Sequence, residues 1–370
     1  MSACVNKTIG IITYHRVINY GAILQVYALQ KKIKEIGANC IVLDYRNERL
    51  ENRHKKMKLS ECKSIKEFVR DCLLFKNHNI KYDKFRGFAK DHFDFSPPLY
   101  RLSDLKEEEK GFDKIITGSD QVWNYRINDM DATYFLEFIE DNSKKATYAA
   151  SFGLSTIPKK YRQKYYDLLK DFRSILIREK QGAVLIKELL GKEAQVVLDP
   201  TLLISKEEWG SLIKDKSLIN MKYILVYAFG RSTNIMNLAK KISKETGYKI
   251  IWISNTYRMS ISIKYIKAAG PEEFLALFKN AEYIVTNSFH GTAFAINFNK
   301  QFFTELLPES LGVNSRLEDI LDLFEIESRI IKSCDPSVIN APIDYKKINK
   351  ILAKEREKST FLLKKIILNL

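Results

Sequence analysis

Among the residues able to do chemistry, a histidine stands between small polar groups in Thr286-Asn287-Ser288-Phe289-His290-Gly291-Thr292. The preceding Ala281-Glu282-Tyr283-Ile284-Val285 predicts a short buried strand, and Thr292-Ala293-Phe294-Ala295-Ile296 the first turns of an apolar helix. His290 then lies where backbone N–H groups lack partners and the helix carries partial positive charge, a place suited to phosphate or carboxylate. Imidazole also moves a proton near neutral pH, so anion recognition and proton transfer can share this loop. A lone histidine at a strand end is more often a hydrogen-bonded structural residue, so the reading needs support from elsewhere in the chain.

Other loops also follow predicted strands. Asn19-Tyr20-Gly21 precedes a helix and can bring its amide and backbone to a polar ligand; the alternative is a tight turn that needs glycine. Gly118-Ser119-Asp120-Gln121-Val122-Trp123-Asn124 sets small and hydrogen-bonding residues around an indole, a composition suited to a sugar. There Asp120 would accept a hydroxyl proton and Trp123 would stack, unless the segment is only a helix start capped by Ser119 or Asp120. Ser151 offers a hydroxyl. Arg178 in Arg178-Glu179-Lys180 offers a planar fork for carboxylate or phosphate, or forms an ion pair with Glu179 or another neighbour. Asp199-Pro200-Thr201 reads as mainly structural, proline fixing a turn between domains. His15, beside the first strand, is a candidate to line a cleft.

The elements that would hold these loops alternate. Ile9 to Tyr14 predicts a buried strand. Ala22, Val26, Leu29, Ile33 and Ile36 share a helical face that Gly37 can end, and Cys40 to Tyr45 resumes as a strand. This βαβ unit opens a parallel sheet. Residues 50–110 are charged and mostly helical in pattern, broken by Pro97-Pro98, and read as an insertion covering the first domain. Strands are expected at Asp113–Thr117, Ala146–Ala150, Ile175–Ile177 and Gln195–Leu198, with a helix over Lys159–Phe172 that Pro158 suits in its first turn. A second α/β series starts at Tyr223–Tyr227 and continues with a helix over Asn234–Thr246, the strand Lys249–Ile253 and a helix beginning near Pro271. The pattern predicts an α/β protein of two doubly wound domains facing a cleft, 1–215 and 216–345, with a basic amphipathic helix over 346–370. That last helix either packs on its own protein or touches an anionic membrane.

A length of 370 residues suits about two domains. Five cysteines, Cys4, Cys40, Cys62, Cys72 and Cys334, are odd in number and widely spaced, which indicates neither a disulfide framework nor a zinc site. With no signal-peptide pattern and no apolar run approaching the ~18 residues that span a bilayer, a reducing, cytoplasmic setting is expected. The formal charge of +16 favours anionic partners, but no basic block interleaved with aromatics resembles a nucleic-acid signature. The dinucleotide and nucleoside-triphosphate glycine loops, the serine nucleophile elbow and the H-E-x-x-H metal helix are all missing. Three of the five histidines, His54, His78 and His92, lie in the charged 50–110 segment, against a histidine-rich metal centre.

Taken in order, Asn19 to Gln25, Gly118 to Asn124, Arg178 to Lys180, Asp199 to Leu203, Ser288 to Gly291 and Asn314 to Arg316 resemble the blocks of the polysaccharide pyruvyl transferase family, from Ile9 to about Phe324. The resemblance implies a fold similar to the GT-B glycosyltransferases and transfer of pyruvate from phosphoenolpyruvate to a sugar, as a ketal, on bacterial surface or exopolysaccharide precursors. It implies that His290 is the acid/base and that Arg178 and Arg316, with Asn287, Ser288, Phe289 and Gly291, bind the donor. Asp120 is the candidate to take an acceptor proton, and Asn19, Tyr20, Gly21, Gly118, Ser119, Gln121, Trp123 and Ser151 the candidates to line the acceptor side. Phosphoenolpyruvate is then a co-substrate, with neither cofactor nor metal required. The acceptor is free, nucleotide-linked or carried on a lipid pyrophosphate, and the last places the protein at the inner membrane face. The rival readings are a GT-B glycosyltransferase using a nucleotide sugar and a non-catalytic glycan-binding protein.

Overall fold

The structure, a computed structural model, describes residues 7–368 apart from 62–63, 216–218, 231, 255–259, 332–338 and 340. Cys4, Cys62 and Cys334, and the chain just after the expected boundary at 215, lie outside the described residues. The first sheet is parallel, in the order β3-β2-β1-β4-β5. Its strands are β1 (Thr8–Ile12), β2 (Asn39–Tyr45), β3 (Phe95–Leu99), β4 (Lys114–Thr117) and β5 (Lys145–Thr147). Bridges from Asp120 to Ala150 and from Ala150 to Ile177 carry it on to the pair β6 (Leu176–Ile177) and β7 (Gln195–Val196). The second sheet is also parallel, in the order β10-β9-β8-β11-β12. It comprises β8 (Tyr223–Tyr227), β9 (Lys249–Ile253), β10 (Ile263–Ile266), β11 (Tyr283–Thr286) and β12 (Gln301–Thr304). Every residue of β8 is buried, as its unbroken Tyr-Ile-Leu-Val-Tyr run requires of a strand covered on both faces.

Residues 50–110 are more than a cover. After the long helix Ile65–His92 the chain enters the first sheet as its edge strand β3, so the segment is the crossover that a doubly wound sheet needs. Pro97 and Pro98 fit because an edge strand has one side with no ladder to feed. The helix expected over Lys159–Phe172 runs Lys159–Leu169, with Pro158 just before it as N-cap.

The two sheets are not independent bodies. One continuous core joins Ile23, Leu24 and Leu29 on the helix Tyr20–Glu35 to Phe274, Phe278 and Phe294 of the second half. The last helix, Tyr345–Leu368, seals the junction by burying Ile348, Leu352, Leu363 and Ile367. From it the Ser359 hydroxyl accepts a hydrogen bond from the Leu198 N–H at 3.0 Å. Arg356 Nη2 donates to the Ile204 carbonyl at 2.9 Å and to Asn297 Oδ1 at 3.2 Å. The buried residues of this helix's apolar face are covered by its own protein, while Phe361 stays exposed. No helix among the described residues is long and apolar enough to cross a membrane.

Candidate active-site cleft

Asp199 is the hub of the cleft. Its side chain is fully buried, and Oδ2 accepts from Arg178 Nη1 at 2.9 Å and from the Ser119 hydroxyl at 3.1 Å, with His290 Nε2 at 3.6 Å. Oδ1 accepts from the Thr201 N–H and hydroxyl, which closes the Asp-Pro-Thr turn. Burial works against the charge, but His290, Arg178 and the Thr201 N–H outweigh it and hold the carboxyl well below the usual carboxylate range. The sequence reading of Asp199 as mainly structural is corrected: it caps a turn and also links both halves of the cleft.

Arg178, at the end of β6, has a second carboxylate partner, Asp120 Oδ1, at 3.2 Å from Nη2. Burial opposes its charge, but Asp120, Asp199 and Glu179 raise its pKa. Its fork is therefore already filled, as the ion-pair alternative anticipated, and its guanidinium lies 4.9 Å over the Phe289 ring. Nε of Arg178 has no hydrogen-bond partner. Arg316, on the helix Ser315–Phe324, is only partly exposed; burial first and then the Arg178 charge push its pKa down to about 10, and its Nε too is unpartnered. Glu179 is fully buried, with one oxygen accepting from the Ser151 hydroxyl and the Phe152 and Gly153 N–H groups and the other left without a partner.

His290 lies in the first turn of the helix Phe289–Asn297, where Ser288 is the N-cap and its hydroxyl accepts from the Gly291 N–H at 3.3 Å. Gly291 is packed against Thr286, whose hydroxyl would lie 2.3 Å from a Cβ placed there. Nε2 of His290 is buried with no hydrogen-bond partner. The opposite side of the ring meets the first domain: a Cβ on Gly21 would lie 2.0 Å from His290 Nδ1. Asn287 does not face a ligand, since its amide bonds both the N–H and the carbonyl of Phe229, at 2.8 and 3.0 Å.

The acceptor-side expectations fare unevenly. Trp123 is fully buried, donates to the Tyr134 carbonyl and packs on Phe135 and Phe152, so it has no face for a sugar. Ser151 is likewise buried, on Glu179. Tyr20 is buried too: its hydroxyl donates to the Ala269 carbonyl at 2.8 Å and its ring stacks on Phe274, tying the domains together. Asn19 caps the helix Tyr20–Glu35 by accepting from the Ala22 N–H. Gly118, at φ +114°, leaves room for the Tyr148 carbonyl, which would be 2.3 Å from a Cβ. Ser119 is buried, and Gln121 accepts the Tyr14 hydroxyl on its carbonyl and the Asn124 amide on its side chain. Asp120 keeps a partly exposed carboxylate, with its side chain 13% exposed, and Gln121 beside it is also only partly buried. His15 does not line the cleft; it is buried with Nε2 2.9 Å from Asp44 Oδ1.

Gln25 was a missed contributor. Fully buried, it accepts the Ser119 N–H and donates to the Thr13 hydroxyl, fixing the Gly118–Asp120 turn against the first helix. A glutamine among mostly apolar inward positions of that helix was the available signal, shared with Gln30, which instead donates to the Cys40 carbonyl.

Two parallel, doubly wound halves whose strand-end loops converge on a shared cleft make this a GT-B-type architecture. Solved structures agree on the fold. The UDP-GlcNAc 2-epimerase of Neisseria meningitidis, bound to UDP-GlcNAc, is 8% identical with a TM-score of 0.51, covering 98% of this chain and 100% of its own. The Staphylococcus aureus MnaA–UDP structure is 14% identical with a TM-score of 0.50, covering 96% and 90%. No curated protein matches the sequence significantly. The family model described as polysaccharide pyruvyl transferase matches residues 19–304, so the chain belongs to the polysaccharide pyruvyl transferase family.

Proposed function

We propose that this protein transfers pyruvate from phosphoenolpyruvate to two hydroxyls of one sugar, forming a ketal on a bacterial surface or exopolysaccharide precursor. The observation that best supports this is the meeting of His290, Arg178, Asp120 and Arg316, from four separate segments, at the Arg178–Asp199 pair. In this reading Arg316 and the first turn of the helix Phe289–Asn297 meet the donor's carboxylate and phosphate. Arg178, held by two carboxylates, orients Asp120 and Asp199 and keeps Nε for the anion.

His290, with its unpartnered Nε2, delivers a proton to the methylene carbon of phosphoenolpyruvate, which makes C2 electrophilic. One sugar hydroxyl adds to C2, phosphate leaves with its bonding pair, and a second hydroxyl closes the ketal. Of the two hydroxyl protons released, one replaces that given by the acid and the other leaves with phosphate. Asp120 is the candidate to receive the first. Asp199 keeps a carboxylate 3.6 Å from the imidazole's Nε2 edge. Arg178 and Asp199 are closed off from solvent, while Asp120 and Arg316 each keep a partly exposed side.

The test is phosphate release from phosphoenolpyruvate with a panel of sugar acceptors. His290→Ala should lose on the order of 10²–10⁴-fold in rate with an unchanged melting temperature. Near-normal turnover in that variant would sink the assignment.

A further inference from the structure

The cleft gathers at the C-terminal ends of strands in the first half, with Asp120 after β4, Arg178 after β6 and Asp199 after β7. A cavity of about 460 Å³ lies at the opposite ends of the same strands. Lys114, Lys145, Leu176 and Gln195, the first residues of β4, β5, β6 and β7, all line it. The turn before β6 adds Arg173, and the last helix closes one side with Leu362 and Lys365.

Lys114 begins a strand in the interior of its sheet and is 8% exposed. Its Nζ donates to the Ser143 carbonyl at 3.1 Å, and no carboxylate lies within ion-pair distance of it among the described residues. An ammonium has three N–H donors, and a lysine is rarely buried without an acid beside it, because taking the charge out of water is costly. Burial, followed by the charges of Lys7 and Arg173, lowers the Lys114 pKa, with Asp141 opposing them. Lys145 is half-buried, and burial lowers its pKa too, against Asp171 and Glu137. Those three acids act from outside the lining, which holds four cations, Lys114, Lys145, Arg173 and Lys365, and no carboxylate among the described residues. Lys365 Nζ lies 5.8 Å from the Phe361 ring centroid. A buried lysine backed by three further cations from separate elements is a place where an anion would replace the missing acid.

We infer that this cavity binds the phosphate group of a small soluble metabolite, with Lys114 at its floor and Lys145 and Arg173 nearer the solvent. Phosphate suits it because one group carries multiple negative charge and several acceptor oxygens for donors that converge from different strands. Ala146, Leu176 and Leu362 give the cavity an apolar wall for the body of the molecule, and its volume falls in the ~300–1,000 Å³ range of small-molecule sites. Nothing in this site depends on the reaction assigned to the cleft.

Calorimetry on the full chain with glucose 6-phosphate, in buffer without phosphate, tests the site. A binding event should survive Arg316→Ala and weaken about tenfold or more in Lys145→Ala/Arg173→Ala, as loss of charge-assisted contacts does. The same ligand should raise the melting temperature of the parent but not of Lys114→Met. If Lys114→Met does not fold, the double variant still decides, since both of its positions are at least partly exposed. Absence of any event that survives Arg316→Ala, or an event unchanged in the double variant, overturns the proposal. So does retention on phosphatidylglycerol vesicles, but not phosphatidylcholine ones, that is lost in the double variant while glucose 6-phosphate fails to bind: the phosphate would then be a lipid headgroup.

Discussion

Gly21 carries no side chain, and a methyl group placed there would overlap the imidazole of His290 at 2.0 Å. His290 and Gly21 come from different domains, so this contact sets where the histidine stands when the cleft is closed. Gly21→Ala should displace the ring and reduce turnover on the order of 10²-fold, as misplacement by about 1 Å does, while the affinity for phosphoenolpyruvate changes much less. Equal kcat in the variant and the parent would show that the ring's position is not set by this contact. Reading residue types singled out His290 and Arg178 at strand ends, and the structure brings both to Asp199. It misjudged Asp199 because Asp-Pro-Thr is a good cap in isolation, and only the fold brings Ser119, Arg178 and His290 to the same carboxylate. Trp123 failed for the opposite reason: an indole suits both a sugar and a core, and burial decides between them.

Among the elements, β1, β2, β8, β9 and β11 were legible because buried parallel strands read as continuous apolar runs between helical repeats, whereas β10 and β12 were not expected. The edge strand β3 was hidden by Pro97 and Pro98, which read as breakers unless the strand is known to have a free side. The helices before it carry a pH prediction. His54 is partly buried among Arg53, Arg86, His78 and Lys81, with its pKa pushed down to about 4 by burial and these charges. Between about pH 6.5, the unfolded value, and pH 4 the unfolded chain binds a proton that the folded one does not. Stability should therefore fall as the pH drops through this window, by up to about 3 kcal/mol from this group. Urea unfolding of His54→Gln should show a flatter slope than the parent; identical slopes would remove His54 as the cause.

For the molecule as a whole, the alternation of strands and helices indicated two doubly wound halves, but not that their cores merge. That fusion arises from long-range packing: Phe274 stacks on Tyr20, and the last helix bridges Leu198, Ile204 and Asn297. The same packing gives the basic amphipathic tail a buried face on its own protein, one of the two partners its pattern allowed. A closed, jointed cleft suits a reaction that must keep water from an activated C2. It also fits either phosphoenolpyruvate or a nucleotide sugar in outline, and this choice is the central claim. Calorimetric titration of the full chain with phosphoenolpyruvate and, separately, with UDP-GlcNAc tests it most directly. The account predicts that phosphoenolpyruvate binds, that Arg316→Ala weakens it at least tenfold, and that UDP-GlcNAc does not compete for the site. Binding of UDP-GlcNAc that depends on Arg316, with no heat from phosphoenolpyruvate, would contradict it.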